Sequence, residues 1–167
     1  MRYAFIDSPL GRVLLQSLDN RLAGLHFCDG GHVPPIGAED ELAPADAVIL
    51  RTALQLAEYF EGRRRNFDIP LHLAGTPFQQ SVWSTLREIP FGHTMSYGGM
   101  AARMGRPGAA RAVGAANARN PVSILVPCHR AVGANGSLTG YSGGIDRKQA
   151  LLEMEGAWRS PPALLAG

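Results

Sequence analysis

Cysteine and lysine are both scarce in this chain of 167 residues, which has two cysteines and a single lysine. Two cysteines are too few for a disulfide framework, so Cys28 and Cys128 are expected to be free thiols in a reducing compartment. No apolar run approaches the roughly 20 residues that a membrane span requires. Residues 1–7 also lack the apolar stretch of a signal peptide. The sequence therefore predicts a cytoplasmic protein that does not insert into a membrane.

Candidate metal ligands are equally few. Structural zinc usually takes four Cys or His ligands at short spacing, whereas the candidate cluster here consists of His26, Cys28 and His32. No second cluster of that kind accompanies it. We therefore prefer a buried cysteine on a strand, flanked by surface histidines, and expect no metal there.

Charge is distributed unevenly along the chain. Residues 1–75 hold seven Arg against ten Asp and Glu, a net charge of −3, and residues 76–167 hold eight Arg and one Lys against four Asp and Glu, a net charge of +5. The two values sum to the formal net charge of +2. A basic second half suits a polyanion-binding face, although a modest asymmetry also arises by chance.

The first 75 residues are predicted to form a small α+β domain with an antiparallel sheet and one helix. Strand-like runs over 12–17 and 22–27 flank an Asp19-Asn20 turn. Apolar residues recur on one face of a helix expected over 46–61. Residues 66–73 are predicted to form a further strand. Nothing in this half of the chain indicates catalysis.

Residues 76–167 are predicted to be mostly helical. Residues 76–79, Thr-Pro-Phe-Gln, begin a helix with a capping box. Two short helices over 96–105 and 107–118 are joined by a tight turn, which suggests a helix-turn-helix. A strand, a last helix and a loose tail are expected over residues 123–126, 146–156 and 161–162 respectively.

The helix predicted over 107–118 consists largely of alanine and glycine, and its only long side chains are those of Arg111 and Val113. Small residues allow a helix backbone to approach another surface closely, either a packed helix or a DNA groove. Arg111 could extend past the backbone into a base stack. Because few side chains could contact base edges, we expect backbone contacts and little sequence specificity.

Cys128 lies in the segment Pro127-Cys128-His129-Arg130. A thiol reacts as the thiolate, and a nearby histidine commonly produces it. Neighbours on a strand point to opposite faces, so Cys128 and His129 can cooperate only if the strand ends here, as Pro127 suggests, or if a water bridges them. A Cys-His pair is by itself a weak indication of catalysis, since most are structural.

This segment resembles the signature of the O6-alkylguanine-DNA alkyltransferases. Asn120-Pro121-Val122 precedes it and Gly-Tyr-Ser-Gly-Gly follows it at 140–144. Other motifs occur in the family's order, at residues 78–83, 89–92, 96–97, 111–114 and 151–156. The specific resemblance covers about residues 76–156, and the first half matches loosely through 7–11. The chain looks like a stand-alone bacterial member of the family.

The resemblance implies an N-terminal α+β domain, residues 1–75, packed on a helical domain, residues 76–167, that carries the helix-turn-helix and the active-site loop. It implies a single-turnover repair reaction on double-stranded DNA. O6-alkylguanine, with O4-alkylthymine as a further candidate, is flipped out of the duplex, and its alkyl group passes irreversibly to Cys128. The resemblance also implies a monomer that needs no cofactor and works in the cytoplasm, on the nucleoid.

The family's residue roles transfer to matching positions. Cys128 would accept the alkyl group, His129 would take its proton through a water, and Glu155 would orient His129. Tyr97 would donate toward guanine N3, and Asn120 would support the helix-turn-helix and the active-site loop. The remaining assignments are a pocket lined by Tyr141 and Ser142, Arg111 as the finger that fills the gap in the duplex, and DNA contacts from Tyr97, Gly98, Ala109, Ala110 and Ala115.

Without the resemblance, Tyr97 would be a helix-face aromatic, Glu155 a solvated carboxylate and Asn120 a turn residue. Two departures from the family are apparent. The zinc cysteines of some animal members are missing, and Asn117 and Ala118 replace longer side chains, which affects the predicted groove contacts.

Three other functions compete with alkyl transfer. A non-catalytic alkyltransferase-like protein would carry tryptophan in place of Cys128. A helix-turn-helix transcription regulator would need side chains on 107–118 that contact base edges. A cysteine hydrolase using Cys128 and His129 would leave the DNA-binding half unexplained.

Overall fold

The computed structural model describes residues 1–158. Its N-terminal part contains a four-stranded sheet. Its strands are β1 (Arg2–Ile6), β2 (Val13–Leu18), β3 (Arg21–Phe27) and β4 (Glu41–Leu42), in the order β3-β2-β1-β4. The β2–β3 hairpin turns at Asp19 and Asn20, whose positive φ values of 49° and 60° suit a tight hairpin turn. β4 pairs with β1 in parallel, so the sheet is mixed, whereas the sequence predicted an antiparallel one.

One helix, α1 (Ala47–Phe60), packs against this sheet. The Asp46 side chain caps it by accepting hydrogen bonds from the backbone N–H groups of Val48 and Ile49. The inner face buries Ile49, Leu56 and Tyr59. The helix predicted over 46–61 is therefore confirmed to within one residue at each end.

The strand predicted over 66–73 is wrong. The segment makes one isolated bridge, between Leu71 and Leu22, supported by hydrogen bonds from Leu22 N to the Pro70 carbonyl and from His72 N to the Leu22 carbonyl. Pro70 has no N–H to donate to a ladder. The apolar residues of this segment pack on the core without extending the sheet.

The C-terminal part, as far as residue 158, contains four helices: α2 (Pro77–Arg87), α3 (Tyr97–Arg103), α4 (Ala110–Ala118) and α5 (Ile145–Met154). The capping box predicted between Thr76 and Gln79 is present at the start of α2. α2, α3 and α4 pack together, and the Trp83 indole N–H donates to the Ala116 carbonyl at 2.9 Å. α4 begins three residues later than predicted, after a turn containing Gly105 and Gly108, both at positive φ.

The segment between α4 and α5 connects the two parts of the molecule. Residues 123–126, predicted to form a strand, instead form a tight turn in which buried Ile124 has a φ of 72°. β3 lies beside this turn, with hydrogen bonds from Leu25 N to the Pro121 carbonyl and from Ser123 N to the Leu25 carbonyl. A 3-10 turn, Cys128–Arg130, then leads into β6 (Ala131–Val132), which pairs in parallel with β5 (Met95–Ser96).

Among residues 1–158, no helix is both long and apolar enough to cross a bilayer. The loose tail predicted around residues 161–162 lies outside the described residues.

Candidate active site

Cys128 opens the 3-10 turn and is buried, with 1% of its surface exposed. Its backbone N–H donates to the Val126 carbonyl at 2.8 Å, and Arg130 N donates to the Pro127 carbonyl at 2.9 Å. The chain therefore coils immediately after Pro127. Cys128 and His129 are thus not neighbours on a strand, which removes the geometric objection that strand alternation raises.

The surroundings of Cys128 act on its thiol in opposite directions. Burial raises the pKa of the thiol, because a thiolate loses hydration in the interior. The Asn120 side chain, the positive charge of Lys148 and the Ser123 hydroxyl each lower it. The site thus contains groups that stabilise a thiolate once it forms.

His129 is fully buried, and its Nε2 lies 3.0 Å from Oε2 of Glu155. A carboxylate only accepts hydrogen bonds, so Nε2 carries a proton and Nδ1 of the neutral ring is an acceptor. Nδ1 is buried and has no hydrogen-bond partner among residues 1–158. Burial lowers the pKa of His129, while Glu155 opposes that shift. The resting imidazole is therefore neutral, with one nitrogen available to take a proton.

The Glu155 carboxylate lies just beyond α5 and is the centre of a buried cluster. Arg130 donates from Nε to Oε1 at 2.8 Å and from Nη2 to Oε2 at 2.9 Å, and its Nη1 donates to the Ile89 carbonyl at 2.7 Å. The Tyr59 hydroxyl donates to Oε2 at 2.7 Å. Burial would raise the pKa of Glu155, but hydrogen bonds from His129 and Arg130 lower it to about 2. Glu155 is therefore ionised, and Arg130 neutralises its charge.

A second cluster surrounds Tyr97, the first residue of α3, which Ser96 caps. The Tyr97 hydroxyl donates to the Thr139 carbonyl at 3.0 Å. Lys148 Nζ donates to the same carbonyl at 2.7 Å and approaches the Tyr97 oxygen at 3.4 Å. Burial lowers the pKa of Lys148 to about 8, although the Cys128 thiolate opposes the shift. Tyr97 is thus hydrogen-bonded to the loop that follows Cys128 in the chain.

Asn120 closes the turn that precedes Cys128. Its side-chain N–H donates to the Val126 carbonyl at 2.8 Å, and its side-chain oxygen accepts from Val122 N at 3.0 Å. Both bonds are buried, so they hold residues 120–126 in the turn in which Ile124 has its positive φ. The structure gives Asn120 contacts of the kind expected of a residue that supports the active-site loop.

The loop over 139–144 carries Tyr141, which is buried, and Ser142, which is half-buried. Gly31 N donates to the Ser142 carbonyl at 2.7 Å. Arg147 donates to the carbonyls of Leu10 at 2.7 Å and Gly143 at 3.0 Å, and forms an ion pair with Asp29 at 2.7 Å. The N-terminal domain therefore fixes this loop.

A cleft of about 620 Å³ lies between the loop and residues 29–31, and Cys128 is not among its lining residues. Cys128 is 1% exposed, so its thiol is not accessible from this cleft.

The predicted DNA-binding residues lie on α3, on α4 and at Ala109, which immediately precedes α4. Gly98, Arg111 and Ala115 are exposed, while Ala109 and Ala110 are half-buried. The opposite face of α4 buries Val113, Ala116 and Asn117 against the core. The helix-turn-helix thus presents a shallow outer surface from which Arg111 projects.

The structure gives no support for a metal site at His26, Cys28 and His32. Among residues 1–158, no group of three or more Cys, His, Asp or Glu side chains is placed to hold an ion. Cys28 lies just beyond β3 and is half-buried, so the expectation of a buried cysteine on a strand is wrong in detail. His26 is also half-buried, which lowers its pKa to about 4, whereas His32 is exposed as expected.

Three residues of the site were missed in the sequence analysis. Arg130 lies inside the quoted Pro-Cys-His-Arg segment, and Lys148 is the chain's one lysine, so both carried a signal that could have been noticed. Tyr59 carried none, since it is 96 residues from Glu155 and looks like an ordinary core residue of an amphipathic helix.

Known proteins are similar to this chain over most of its length. The family model for the DNA binding domain of 6-O-methylguanine DNA methyltransferase matches residues 77–157, and the model for its ribonuclease-like domain matches residues 1–73. A methylated-DNA–protein-cysteine methyltransferase of Methanosarcina acetivorans is 45% identical over 94% of this chain and 99% of its own length. The protein of that name from Mycobacterium tuberculosis is 46% identical over 93% of this chain and 92% of its own.

A solved structure gives the same result. The crystal structure of Mycobacterium tuberculosis OGT in complex with DNA superposes with a TM-score of 0.87, at 45% identity, covering 94% of each chain. That superposition includes both the N-terminal sheet and the C-terminal helices. The family models, the curated relatives and the solved structure agree with one another, and the chain belongs to the 6-O-methylguanine DNA methyltransferase family.

Proposed function

We propose that this protein reverses DNA alkylation damage by transferring the alkyl group of O6-alkylguanine to its own Cys128. One observation carries the proposal: Cys128 is buried next to a neutral His129 that is hydrogen-bonded to an ionised Glu155. This is the arrangement of nucleophile, base and orienting group that activates a thiol. The names of the relatives, methylated-DNA–protein-cysteine methyltransferase, state the same chemistry for those proteins.

The proposed reaction begins with proton transfer from Cys128, through a water, to Nδ1 of His129. The thiolate sulfur then attacks the alkyl carbon, a C–S bond forms, and the bond between that carbon and O6 breaks. Guanine leaves with a proton supplied at N3 by the Tyr97 hydroxyl, which neutralises the developing negative charge. Tyr97 recovers a proton from Lys148, whose Nζ is 3.4 Å away, and Lys148 then takes a proton from water while the protonated His129 releases one to it. In total, Cys128 loses one proton and guanine gains one.

The proposed substrate is double-stranded DNA. The alkyl carbon is inaccessible inside the duplex, so the base must be flipped out of the stack. The shallow face of α4, with Ala110 and Ala115, lies against the groove together with Ala109 and Gly98. Arg111 enters the gap that the flipped base leaves. Contacts of this kind follow the backbone and give little sequence specificity.

Entry of the base requires a change in the loop over 139–144. The Tyr97 hydroxyl already donates to the Thr139 carbonyl, so it must give up that bond before it can donate to guanine N3. The base then occupies the space between Tyr97 and the loop, where Tyr141 and Ser142 line the pocket. Asn120 keeps Cys128 in place during this movement. Its two hydrogen bonds are to Val122 and Val126, which precede the cysteine, whereas the moving loop follows it.

The division of labour follows the two domains, residues 1–75 and 76–167. The second binds DNA and carries the reacting groups, and the first fixes the loop through Gly31 and through Asp29, which pairs with Arg147 of the second domain. One chain supplies every group named, so we propose a monomer that acts without a cofactor. Its place of action is that of its substrate, the nucleoid in the cytoplasm.

The test is incubation with a duplex oligonucleotide containing one O6-methylguanine, followed by intact-mass analysis and peptide mapping. We expect the protein to gain one CH₂ in mass, located on Cys128, and the Cys28→Ser variant to do the same. A duplex with O4-methylthymine tests the second candidate lesion. Loss of the methyl group as methanol, without modification of the protein, would indicate a hydrolase. Binding without either reaction would indicate a regulator or a damage-flagging protein.

A further inference from the structure

We propose that Tyr59 of the N-terminal domain is a positioning residue of the His129–Glu155 relay and holds His129 in its neutral form. The inference rests on the proposed function, because it assigns a role to a residue outside the domain that carries the reacting groups. Tyr59 is 1% exposed and lies in the last turn of α1, and its hydroxyl reaches Oε2 of Glu155 at 2.7 Å.

The shared oxygen atom is the key to this role. Oε2 of Glu155 accepts from Tyr59 at 2.7 Å, from Arg130 Nη2 at 2.9 Å and from His129 Nε2 at 3.0 Å. Donors that share one carboxylate oxygen compete for its electron density. The bonds from Tyr59 and Arg130 therefore weaken the hydrogen bond between His129 and Glu155. As a result, Glu155 stabilises the protonated imidazole of His129 less.

The two competing donors differ in charge. Arg130 neutralises the carboxylate, so removing it changes the net charge of the site as well as the hydrogen bonding. Tyr59 is neutral, and burial and the nearby Glu155 raise its pKa, so it remains an O–H donor at every relevant pH. Tyr59 is thus the component of the cluster that can adjust the basicity of His129 without altering charge balance.

The N-terminal domain fixes where this hydroxyl lies. The Tyr59 ring packs against Phe60 and Phe67, each with a ring-centroid separation of 5.3 Å, and edge-on against Phe91 at 6.3 Å. Phe91 belongs to the C-terminal part, and Arg130 also lies over its ring, at 5.9 Å. The docking of α1 on the second domain therefore sets the hydrogen bond to Glu155.

The test is a titration of His129 by ¹⁵N NMR in the wild type and in Tyr59→Phe. This substitution removes the hydroxyl that donates to Oε2 of Glu155, so the hydrogen bond from His129 to the same oxygen strengthens. We expect the Nε2 proton to shift downfield and the pKa of His129 to rise by about 0.5–1 unit, in line with the usual strength of one neutral hydrogen bond. Tyr3→Phe, which removes a phenol from β1, is the matched control and should leave both values unchanged.

A second variant covers the case in which Tyr59→Phe fails to fold. Replacing Tyr59 alone by 3-fluorotyrosine makes the phenol more acidic and a stronger donor, so the pKa of His129 should fall. Opposite shifts in the two variants are the expected result, which a purely structural role for Tyr59 would not give.

The oligonucleotide assay separates the two proposals. If the wild-type protein gains mass on Cys128 but neither change at Tyr59 alters the titration of His129, only this inference is overturned. Wild-type protein that gains no mass overturns the proposed function and the inference together.

Discussion

At the scale of single residues, Lys148 places a positive charge where it acts on the thiol of Cys128. We expect Lys148→Met to raise the pKa of Cys128, because the substitution removes a positive charge that opposes the effect of burial on the thiol. The rate of Cys128 alkylation by iodoacetamide, measured against pH in a Cys28→Ser background, should have its midpoint at a higher pH. Arg87→Met, which removes an exposed charge from α2, is the control. A midpoint common to all three proteins would contradict the role given to Lys148.

Glu155 links the same site to stability. Its pKa of about 2 in the folded protein lies below the value of about 4.3 in an unfolded chain. The ionised carboxylate therefore stabilises the fold at all pH values above about 4.3, and that contribution is lost as the pH falls toward 2. We expect Glu155→Gln to lower the free energy of unfolding at pH 7 by about 3–5 kcal/mol, since it leaves the buried Arg130 without its counter-ion.

Urea unfolding at pH 7 and pH 3 measures this effect. The difference between wild type and Glu155→Gln should be smaller at pH 3, where the carboxylate has begun to lose its advantage. Glu88→Gln breaks an exposed ion pair with Arg103 and should cost much less at either pH. A difference that is the same at both pH values would mean that the carboxylate titrates normally.

Residues of the site that are close together in the sequence could be predicted, whereas those that are far apart could not be paired from the sequence alone. Cys128, His129 and Arg130 are consecutive, so a short motif contains them. Glu155 could be assigned only through the family resemblance, since by spacing alone it looked like a solvated carboxylate. No local pattern could pair Tyr59 with Glu155, because long-range contacts depend on how two domains dock.

At the scale of elements, α4 carries the prediction for DNA. Arg111 is exposed in its first turn, among residues too small to contact base edges. We expect Arg111→Ala to slow repair of duplex O6-methylguanine by more than tenfold, while reaction with free O6-benzylguanine changes little. The physical reason is that unstacking costs a few kcal/mol, and each 1.4 kcal/mol is a factor of about ten.

Single-turnover rates on the two substrates give the comparison, with Arg21→Ala on the edge strand β3 as the control for loss of a positive charge. Equal slowing of both substrates by Arg111→Ala would place its effect on folding or chemistry rather than on base extrusion.

Periodicity and capping predicted the helices well, because those signals are local. The Thr76–Gln79 capping box begins α2 where the sequence indicates, and α1 lies within one residue of its predicted bounds. The two predicted strands at 66–73 and 123–126 are wrong for a different reason. Both are apolar because they pack in the core, but neither has a neighbouring strand over its length. At 123–126, Asn120 instead stabilises a turn that places buried Ile124 at a φ of 72°.

At the scale of the whole molecule, the prediction concerns turnover. Among residues 1–158, the structure shows no second thiol beside Cys128 and no metal cluster that could cleave a thioether. We expect repair to stop at one lesion per molecule when protein is titrated with excess methylated duplex. Intact-mass analysis should show that the alkylated protein accumulates. Repair that continues well past one equivalent would refute a suicide reaction.

The alkylated protein should also be less stable than the free form. Cys128 is 1% exposed and belongs to the main hydrophobic core. An added methyl group must displace packed neighbours, at a typical cost of roughly 1–3 kcal/mol. For a domain of this size, each kcal/mol lowers Tm by about 2–4 °C. Thermal unfolding of the two forms measures the difference, and coincident curves would mean that the pocket accommodates the product without strain.

The burial of Lys148 has a practical consequence, because this residue is the only lysine in the sequence. A lysine-specific endoprotease has one peptide bond to cut, and that bond lies within α5. Cleavage requires the helix to open, since a folded helix does not fit an extended protease cleft. The appearance of two fragments, divided after residue 148, therefore reports the opening of this one helix. The same digestion applied to free and alkylated protein would show whether alkyl transfer marks the spent molecule for proteolysis.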